Sequence, residues 1–211
     1  YLNKGNLKFE DISESSKILT DKNAKQKTWS TGVTTVDINN DGWLDLFLAT
    51  YQTGNFVALN QDGKLQLSNL LPVTNQQAAM LSLALSFGDV DRDGDLDLAL
   101  GNWAAGWYRH VPGEESRNRI VFNDNGILDG TKFDQLPGIP GETLSILLSD
   151  INSDGIVDLL VGNDFEVPDY IYMGNGAGEF TAVTPDDNRV PHTTNTTMAI
   201  KSADLIGDPN P

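Results

Sequence analysis

Three ten-residue strings of this chain superpose without a gap: DINNDGWLDL from Asp37, DVDRDGDLDL from Asp89 and DINSDGIVDL from Asp150. A fourth, DLIGDPNP from Asp204, is degraded. The four starts are 52, 61 and 54 residues apart. Self-similarity at such a period marks an array of supersecondary units, each of which hides its apolar face against its neighbour. Short apolar runs precede the strings at Thr31–Val36, Leu81–Phe87, Leu144–Leu148 and Met198–Ala203. Others overlap or follow them at Leu44–Ala49, Leu96–Leu100 and Ile156–Val161. All are too short for helices, lie between turn residues and alternate in part, so they predict strands.

A second motif lies downstream in each unit. YIYMGNGAGEF at Tyr170–Phe180 reads as strand, Gly/Asn turn and return strand. VALNQDGKL from Val57, IVFNDNG from Ile120 and YLNKGNLKF from Tyr1 are looser copies. The unit is therefore strand, Asp loop, strand, longer connection, strand, turn, strand. Four antiparallel strands in about 50 residues is the size of a propeller blade. The predicted fold is all-β: a β-propeller, or part of one, of four-stranded antiparallel blades with the Asp loop between strands 1 and 2. The expected divisions are an outer hairpin at 1–12, blades at 30–74, 81–136 and 143–184, and the start of a further blade at 197–211. Asn75–Ala84 is the best helix candidate in a chain otherwise broken by Gly and Asn.

The Asp loops carry chemistry. Oxygen side chains fall at loop positions 1, 3, 5 and 9: Asp37, Asn39, Asp41 and Asp45; Asp89, Asp91, Asp93 and Asp97; Asp150, Asn152, Asp154 and Asp158. Position 7 (Trp43, Asp95 or Ile156) can add a backbone carbonyl, and Gly42, Gly94 and Gly155 at position 6 allow a sharp turn. Numerous, flexible, oxygen-only ligands suit Ca²⁺ better than Mg²⁺. Three Ca²⁺ sites are expected. The fourth loop should stay empty, because Ile206 stands at position 3 and Pro209 at position 6, where Pro cannot reach a positive φ. An EF-hand is excluded: its loop needs a bidentate Glu at position 12, where Leu48, Leu100 and Val161 stand. Asp-rich turns that merely cap hairpins are the plainer reading, and three copies with one ligand pattern weigh against it.

Composition sharpens this. There are 23 Asp against 7 Glu, an excess of the short carboxylate used in turns and metal loops. The formal net charge is −16, which repels phosphate backbones and anionic membranes. Three bound Ca²⁺ would bring it to −10. Neither a nucleic-acid partner nor membrane insertion is expected. With no Cys there is no disulfide, thiolate zinc site or Cys nucleophile.

At these loops the chain resembles the FG-GAP/VCBS repeat family, the calcium-loop repeats of integrin α-chain β-propellers. The strings WSTGVTTVDINNDGWLDLFLA, VGNDFEVPDYIYMGNGAGEF and KGNLKFEDISE are similar to the cartilage acidic protein and ASPIC/UnbV group. The resemblance implies a calcium-binding interaction or adhesion module that is extracellular, on the cell surface or periplasmic, and no reaction.

The long connection Gly101–Arg119 gathers Trp103, Trp107, Tyr108, Arg109 and His110. Aromatics with Arg suit a partner-binding surface for protein or glycan. Packing over a blade edge is the reading favoured for the rings themselves. In the competing function, a lectin or the propeller part of a polysaccharide lyase, Trp103 and Trp107 would stack on sugars. A lectin should repeat that pocket in each blade, and the third unit has no counterpart. No acid/base set converges outside the metal loops, so an enzyme is not expected. His110 and His192 stand alone, the pairs Glu114–Glu115 and Asp186–Asp187 read as solvated, and Asn195-Thr196-Thr197 is a glycosylation sequon. In an antiparallel blade the Asp loops and the Gly101–Arg119 connection should lie on opposite faces, with partners on the latter. The chain reads as a piece of a larger propeller; the alternative is a ring of four closed by pairing of Tyr1–Phe9 with the blade of Met198–Ala203.

Overall fold

The computed structural model describes residues 1–12, 29–51, 54–66, 70–73, 82–103, 114–165, 167–187 and 196–203. The chain opens with a two-stranded ribbon, β1 (Leu2–Asn3) and β2 (Phe9–Glu10). The first four-stranded sheet is β3 (Trp29–Val36), β4 (Asp45–Tyr51), β5 (Phe56–Ala58) and β8 (Leu71–Pro72). Between β5 and β8 sits a small ribbon, β6 (Asn60–Gln61) and β7 (Lys64–Leu65). The second sheet is β9 (Ser82–Gly88), β10 (Asp97–Asn102), β11 (Arg119–Asn123) and β12 (Leu128–Gln135). The third is β13 (Glu142–Ser149), β14 (Asp158–Asp164), β15 (Tyr170–Gly174) and β16 (Phe180–Ala182). Every sheet is an antiparallel meander in chain order. Among the described residues the helical content is two three-residue 3-10 turns. This is an all-β, propeller-type architecture.

The blades stack through two apolar seams. Phe47, Ala49 and Val57 of the first sheet meet Leu98, Leu100 and Val121 of the second. Phe47 and Phe87 cross edge to face with centroids 5.6 Å apart. On its other side the second sheet offers Ala99 and Ile120 to Ile146, Leu148, Leu159 and Tyr172 of the third. So β10 is buried on both faces: Leu98 and Leu100 point to one neighbour and Ala99 to the other. That is why LDLAL is nearly continuous in apolar residues instead of half polar. Each buried aliphatic or aromatic side chain contributes about 1.5–3 kcal/mol.

Away from the Asp loops, a polar latch repeats at each seam. Asn55, Asn118 and Asp169 stand just before or at the start of the third strands. Their side-chain oxygens accept the backbone N–H of Thr50, Asn102 and Asn163 at 3.1, 2.9 and 2.8 Å. The same side chains grip a hydroxyl of the next unit. Asn55 Nδ2 donates to Ser82 Oγ, Asn118 Nδ2 donates to Thr143 Oγ1, and Thr197 Oγ1 donates to Asp169 Oδ2. Ser82 and Thr143 pass the chain on by donating to Asn102 Oδ1 and Asn163 Oδ1. Each hydroxyl lies seven residues before its Asp loop. In each first strand the register shifts by one residue beside this position.

Several expectations need correction. The second strands begin at Asp45, Asp97 and Asp158, not at Leu44, Leu96 and Ile156, because the position-9 Asp is the first ladder residue. The return strand of VALNQDGKL does not complete its blade: it folds into β6–β7, and β8 takes the outer edge. Of the helix candidate Asn75–Ala84, residues 75–81 lie outside the described residues and 82–84 open β9. Residues 198–203 form no ladder. They lie against the third sheet, where Thr197 N–H donates to Asn163 O and Ile200 N–H donates to Ser145 Oγ, both at 2.9 Å. First strands of neighbouring blades meet through side chains, so a ladder here needs a second strand of the same blade. No ladder joins β1 or β2 to residues 196–203; among the described residues the ribbon pairs with itself, Leu2 opposite Glu10. A strand beyond residue 203 that could close a ring would lie outside the described residues.

Asn118→Ala leaves the buried Asn102 N–H without its acceptor and takes from the Thr143 hydroxyl its donor, while that hydroxyl keeps Asn163 Oδ1. A buried polar group left unsatisfied costs about 1–3 kcal/mol. Urea unfolding should show a loss of that order, with Thr143→Val close behind. A change below about 0.5 kcal/mol, typical of surface sites, would mean the latch holds nothing together.

Candidate metal centre

All three Asp loops close on themselves through one set of hydrogen bonds. The position-1 carboxylate accepts the N–H of positions 5 and 6. Asp37 takes Asp41 and Gly42 at 3.1 and 2.9 Å, Asp89 takes Asp93 and Gly94 at 3.1 and 3.2 Å, and Asp150 takes Asp154 and Gly155 at 3.2 and 2.8 Å. The position-3 oxygens of Asn39, Asp91 and Asn152 accept the same position-5 N–H. The position-5 carboxylates accept the position-7 N–H: Asp41 from Trp43, Asp93 from Asp95, Asp154 from Ile156. These are the local side-chain-to-backbone bonds at which Asp and Asn excel and Glu does not. Two residues per loop turn left-handed. Gly42, Gly94 and Gly155 have φ of 88°, 97° and 79°; Asn40, Arg92 and Ser153, at position 4, have 55°, 66° and 61°. A Cβ on any of those three glycines would meet nothing within 4 Å, so glycine is required there by φ and not by space.

Position 9 ties the loop to the blade. Asp45, Asp97 and Asp158 are fully buried, at 0% exposure. One oxygen of each accepts the position-2 N–H, from Ile38, Val90 and Ile151 at 3.0, 2.9 and 3.2 Å. The other accepts an N–H at or beyond the end of the third strand, from Asn60, Asn123 and Gly174 at 2.7, 2.9 and 3.0 Å. Burial pushes the Asp97 carboxyl up to about 6 against the two N–H donors that lower it, and the charges of Asp91 and Asp93 add to the rise. Burial, then the charges of Asp154 and Asp150, raises Asp158 in the same direction despite its donors. The sign matters: with its folded value above its unfolded one, ionisation of Asp97 works against the fold as pH rises from about 4 through about 6. At neutral pH the loop holds negative charge at a cost that a counter-ion would remove.

That charge is most concentrated in the second loop. Asp89, Asp91 and Asp97 each present an oxygen within 4.8 Å of the others, the one such acidic cluster among the described residues. In the first and third loops the Asn at position 3 donates its amide to the position-5 carboxylate, at 3.0 and 2.9 Å. Asp91 has no amide to give, and burial together with Asp93 and Asp89 raises its pKa. The donor set is all oxygen, mixed carboxylate and amide, on a backbone pre-folded around it. It fits a hard divalent cation, and Ca²⁺ in particular, which tolerates irregular oxygen shells. At position 7 only the main chain is left for such an ion. The Trp43 ring lies over Gly63, and both Asp95 oxygens are engaged outside the loop, by Asn40 Nδ2 and the Asn125 N–H.

Residues 37–100 and 150–211, together more than half of the chain, match the FG-GAP-like repeat. The chain belongs to this family. Integrin alpha-3 of Cricetulus griseus is 29% identical over 175 residues, covering 75% of this chain. The chain spans 16% of the length of that relative. The match over 37–100 joins an Asp loop to the strand that follows the next one, and so takes in the first seam between blades. The two ends of an FG-GAP-like blade thus carry different residues here: Asp loops at one, hydroxyl latches at the other.

Beyond the latch, Trp103 follows β10 and is half-buried, its ring edge to face with Phe165 of the third unit at 6.0 Å. Trp107, Tyr108 and Arg109 lie outside the described residues, as does the fourth loop from Asp204. Two sets of site residues were missed in the sequence. Position 4 gave no signal because Asn40, Arg92 and Ser153 share no chemistry. The latch residues share a spacing from the loops, but hydroxyls and amides in strands are too common to stand out.

Asp97→Ala strips the acceptors from the buried Val90 and Asn123 N–H groups. Each should cost about 1–3 kcal/mol, and thermal melts should show the loss with or without divalent cations. Asp93→Ala, on the exposed side of the same loop, should show a loss chiefly when cations are present. Equal effects in both media for both variants would mean that the two positions do the same job.

Proposed function

We propose that this chain is a non-enzymatic, calcium-stabilised interaction module of the integrin-α-like type, working at the cell surface, outside the cell or in the periplasm. The observation that carries it is the repetition, in three loops, of one hydrogen-bonding scheme built on oxygen side chains, with the Asp89, Asp91 and Asp97 oxygens of the second loop within 4.8 Å of one another. Three Ca²⁺ ions would be held by Asp37, Asn39, Asp41 and Asp45; by Asp89, Asp91, Asp93 and Asp97; and by Asp150, Asn152, Asp154 and Asp158. The carbonyls of Trp43, Asp95 and Ile156 would complete each shell. A bound ion would supply positive charge beside Asp97 and Asp158, whose charged forms burial disfavours, and would stiffen the loop between the first and second strands. Its role in this reading is structural.

The proposed units are the hairpin 1–12, blades 30–74, 81–136 and 143–184, and a further blade beginning at 197, with kinship to the cartilage acidic protein and ASPIC/UnbV group. The third latch, Thr197 on Asp169, supports the last of these units. Partners would bind the face of Trp103, Trp107, Tyr108 and Arg109, since antiparallel strands carry the Asp loop and the Gly101–Arg119 connection to opposite ends of the second sheet. A protein partner is favoured over a glycan because the Trp103 ring is already used in packing on Phe165.

Calorimetric titration should give three Ca²⁺ per chain. Extracellular Ca²⁺ modules commonly bind at roughly 10⁻⁴–10⁻³ M. At free Ca²⁺ 100-fold above Kd each independent site adds about 2.7 kcal/mol, so chelation should lower the Tm by many degrees. Asp41→Ala, Asp93→Ala and Asp154→Ala should each remove one equivalent. An unchanged melting curve in EDTA, with no heat on titration, defeats the calcium reading. Trp107→Ala should weaken a captured partner without lowering the Tm, and binding on a glycan array abolished by the same change would favour the carbohydrate reading instead.

A further inference from the structure

The first two loops are joined to each other in a way the second and third are not. Asn40, at position 4 of the first loop, is left-handed at φ 55° and reaches into the second loop. Its Nδ2 donates to Gly94 O at 3.2 Å and to Asp95 Oδ1 at 2.8 Å. The other Asp95 oxygen accepts the Asn125 N–H at 2.7 Å. A second bridge runs beneath. Asn123 Nδ2 donates to Ile38 O of the first loop at 2.8 Å and to Leu96 O of the second at 3.2 Å. The Asn123 N–H is also the donor that holds Asp97. So the stretch 94–96, which carries the position-7 carbonyl, is pinned on both sides by groups that also hold the first loop.

The next seam lacks these side chains. Arg92 stands in place of Asn40, and its aliphatic chain packs over Gly176. Gly174 stands in place of Asn123: its backbone N–H holds Asp158, but it has no side-chain amide to bridge the loops. Among the described residues the hydrogen bonds there are Gly178 N–H to Val90 O at 3.1 Å and, between the strands that enter the loops, Leu148 N–H to Ser86 Oγ at 3.0 Å, and no side chain of one loop reaches the other's backbone.

We infer that the loops 37–45 and 89–97 take up cations as a coupled pair through Asn40 and Asp95, while the loop 150–158 fills on its own. This rests on the calcium reading above. An ion that orders one loop fixes the carbonyls and carboxylate the other leans on, so the second ion meets a loop whose ordering is already done. Coupling between sites is reciprocal and commonly 5- to 150-fold.

The test follows each loop separately by NMR during Ca²⁺ titration: the Trp43 indole for the first and the Ile156 methyls for the third. With the second loop disabled by Asp93→Ala, the Ca²⁺ affinity read at Trp43 should fall at least about fivefold. The affinity read at Ile156 should stay within about twofold. In an Asn40→Ala background, the further change Asp93→Ala should move the Trp43 reading by less than about twofold. Asn40 is exposed and holds no ion, and far-UV circular dichroism confirms that each variant is folded. Asp95→Ala serves as a second way to cut the connection, with the same expected result. An affinity at Trp43 that ignores Asp93→Ala, or that responds equally with and without Asn40, overturns the coupling while leaving calcium binding intact. No Ca²⁺-dependent shift at either probe removes the calcium reading, and the coupling falls with it.

Discussion

A carboxylate with no exposed surface has to be met by donors, and three of them set the shape of this chain. Asp45, Asp97 and Asp158 begin the second strand of their sheets, fully buried, with both oxygens taken by backbone N–H groups. One donor comes from the loop before the strand and the other from the far end of the third strand. A single side chain therefore fixes where the loop ends, where the second strand starts and how far the third strand runs alongside it. The neighbouring ladders fall into the same register in the second and third sheets, Leu98 opposite Val121 and Leu159 opposite Tyr172. Burial makes the charged forms of Asp97 and Asp158 costly, and their backbone donors offset only part of that cost.

The opposite end of each blade solves a different problem. Two sheets stacked on Leu, Val and Phe can slide, because apolar contact has no direction. The latch of Asn or Asp on the next unit's hydroxyl has direction and allows one register. Its cost is small only because every member is satisfied, from the Thr50 N–H through Asn55 and Ser82 to Asn102. The apolar seams supply most of the attraction, and the polar chains choose among the ways of satisfying it.

The acidity of the chain follows from these two demands. Short carboxylates are needed to fold the loops onto their own backbone, and they collect charge where the loops are tightest. Asn at position 3 relieves the first and third loops, and nothing in the second loop does the same for Asp91. The second loop is also the one whose backbone the first loop holds. Charge density and mechanical coupling thus coincide at one seam.

Much of this was legible in the sequence. The period, the gapless Asp strings and the apolar runs around them fix the blade, the order of its strands and the loop positions that carry oxygen side chains, because each depends on neighbours a few residues apart. Gly at position 6 announces its left-handed turn for the same reason. What tertiary structure alone decided depends on residues far apart. The strand start at position 9 could not be read from LDL, since Asp45 enters the ladder only because Asn60 and Ile38 supply its donors. The outer edge of the first blade passes to β8 because the strands after Ala58 pair with each other instead. Met198–Ala203 has the pattern of a strand, yet among the described residues no ladder partner lies beside it. Asn40, Asn118 and Thr143 are ordinary polar residues in the sequence, and they gain their roles when the fold brings the next blade within 3 Å of them.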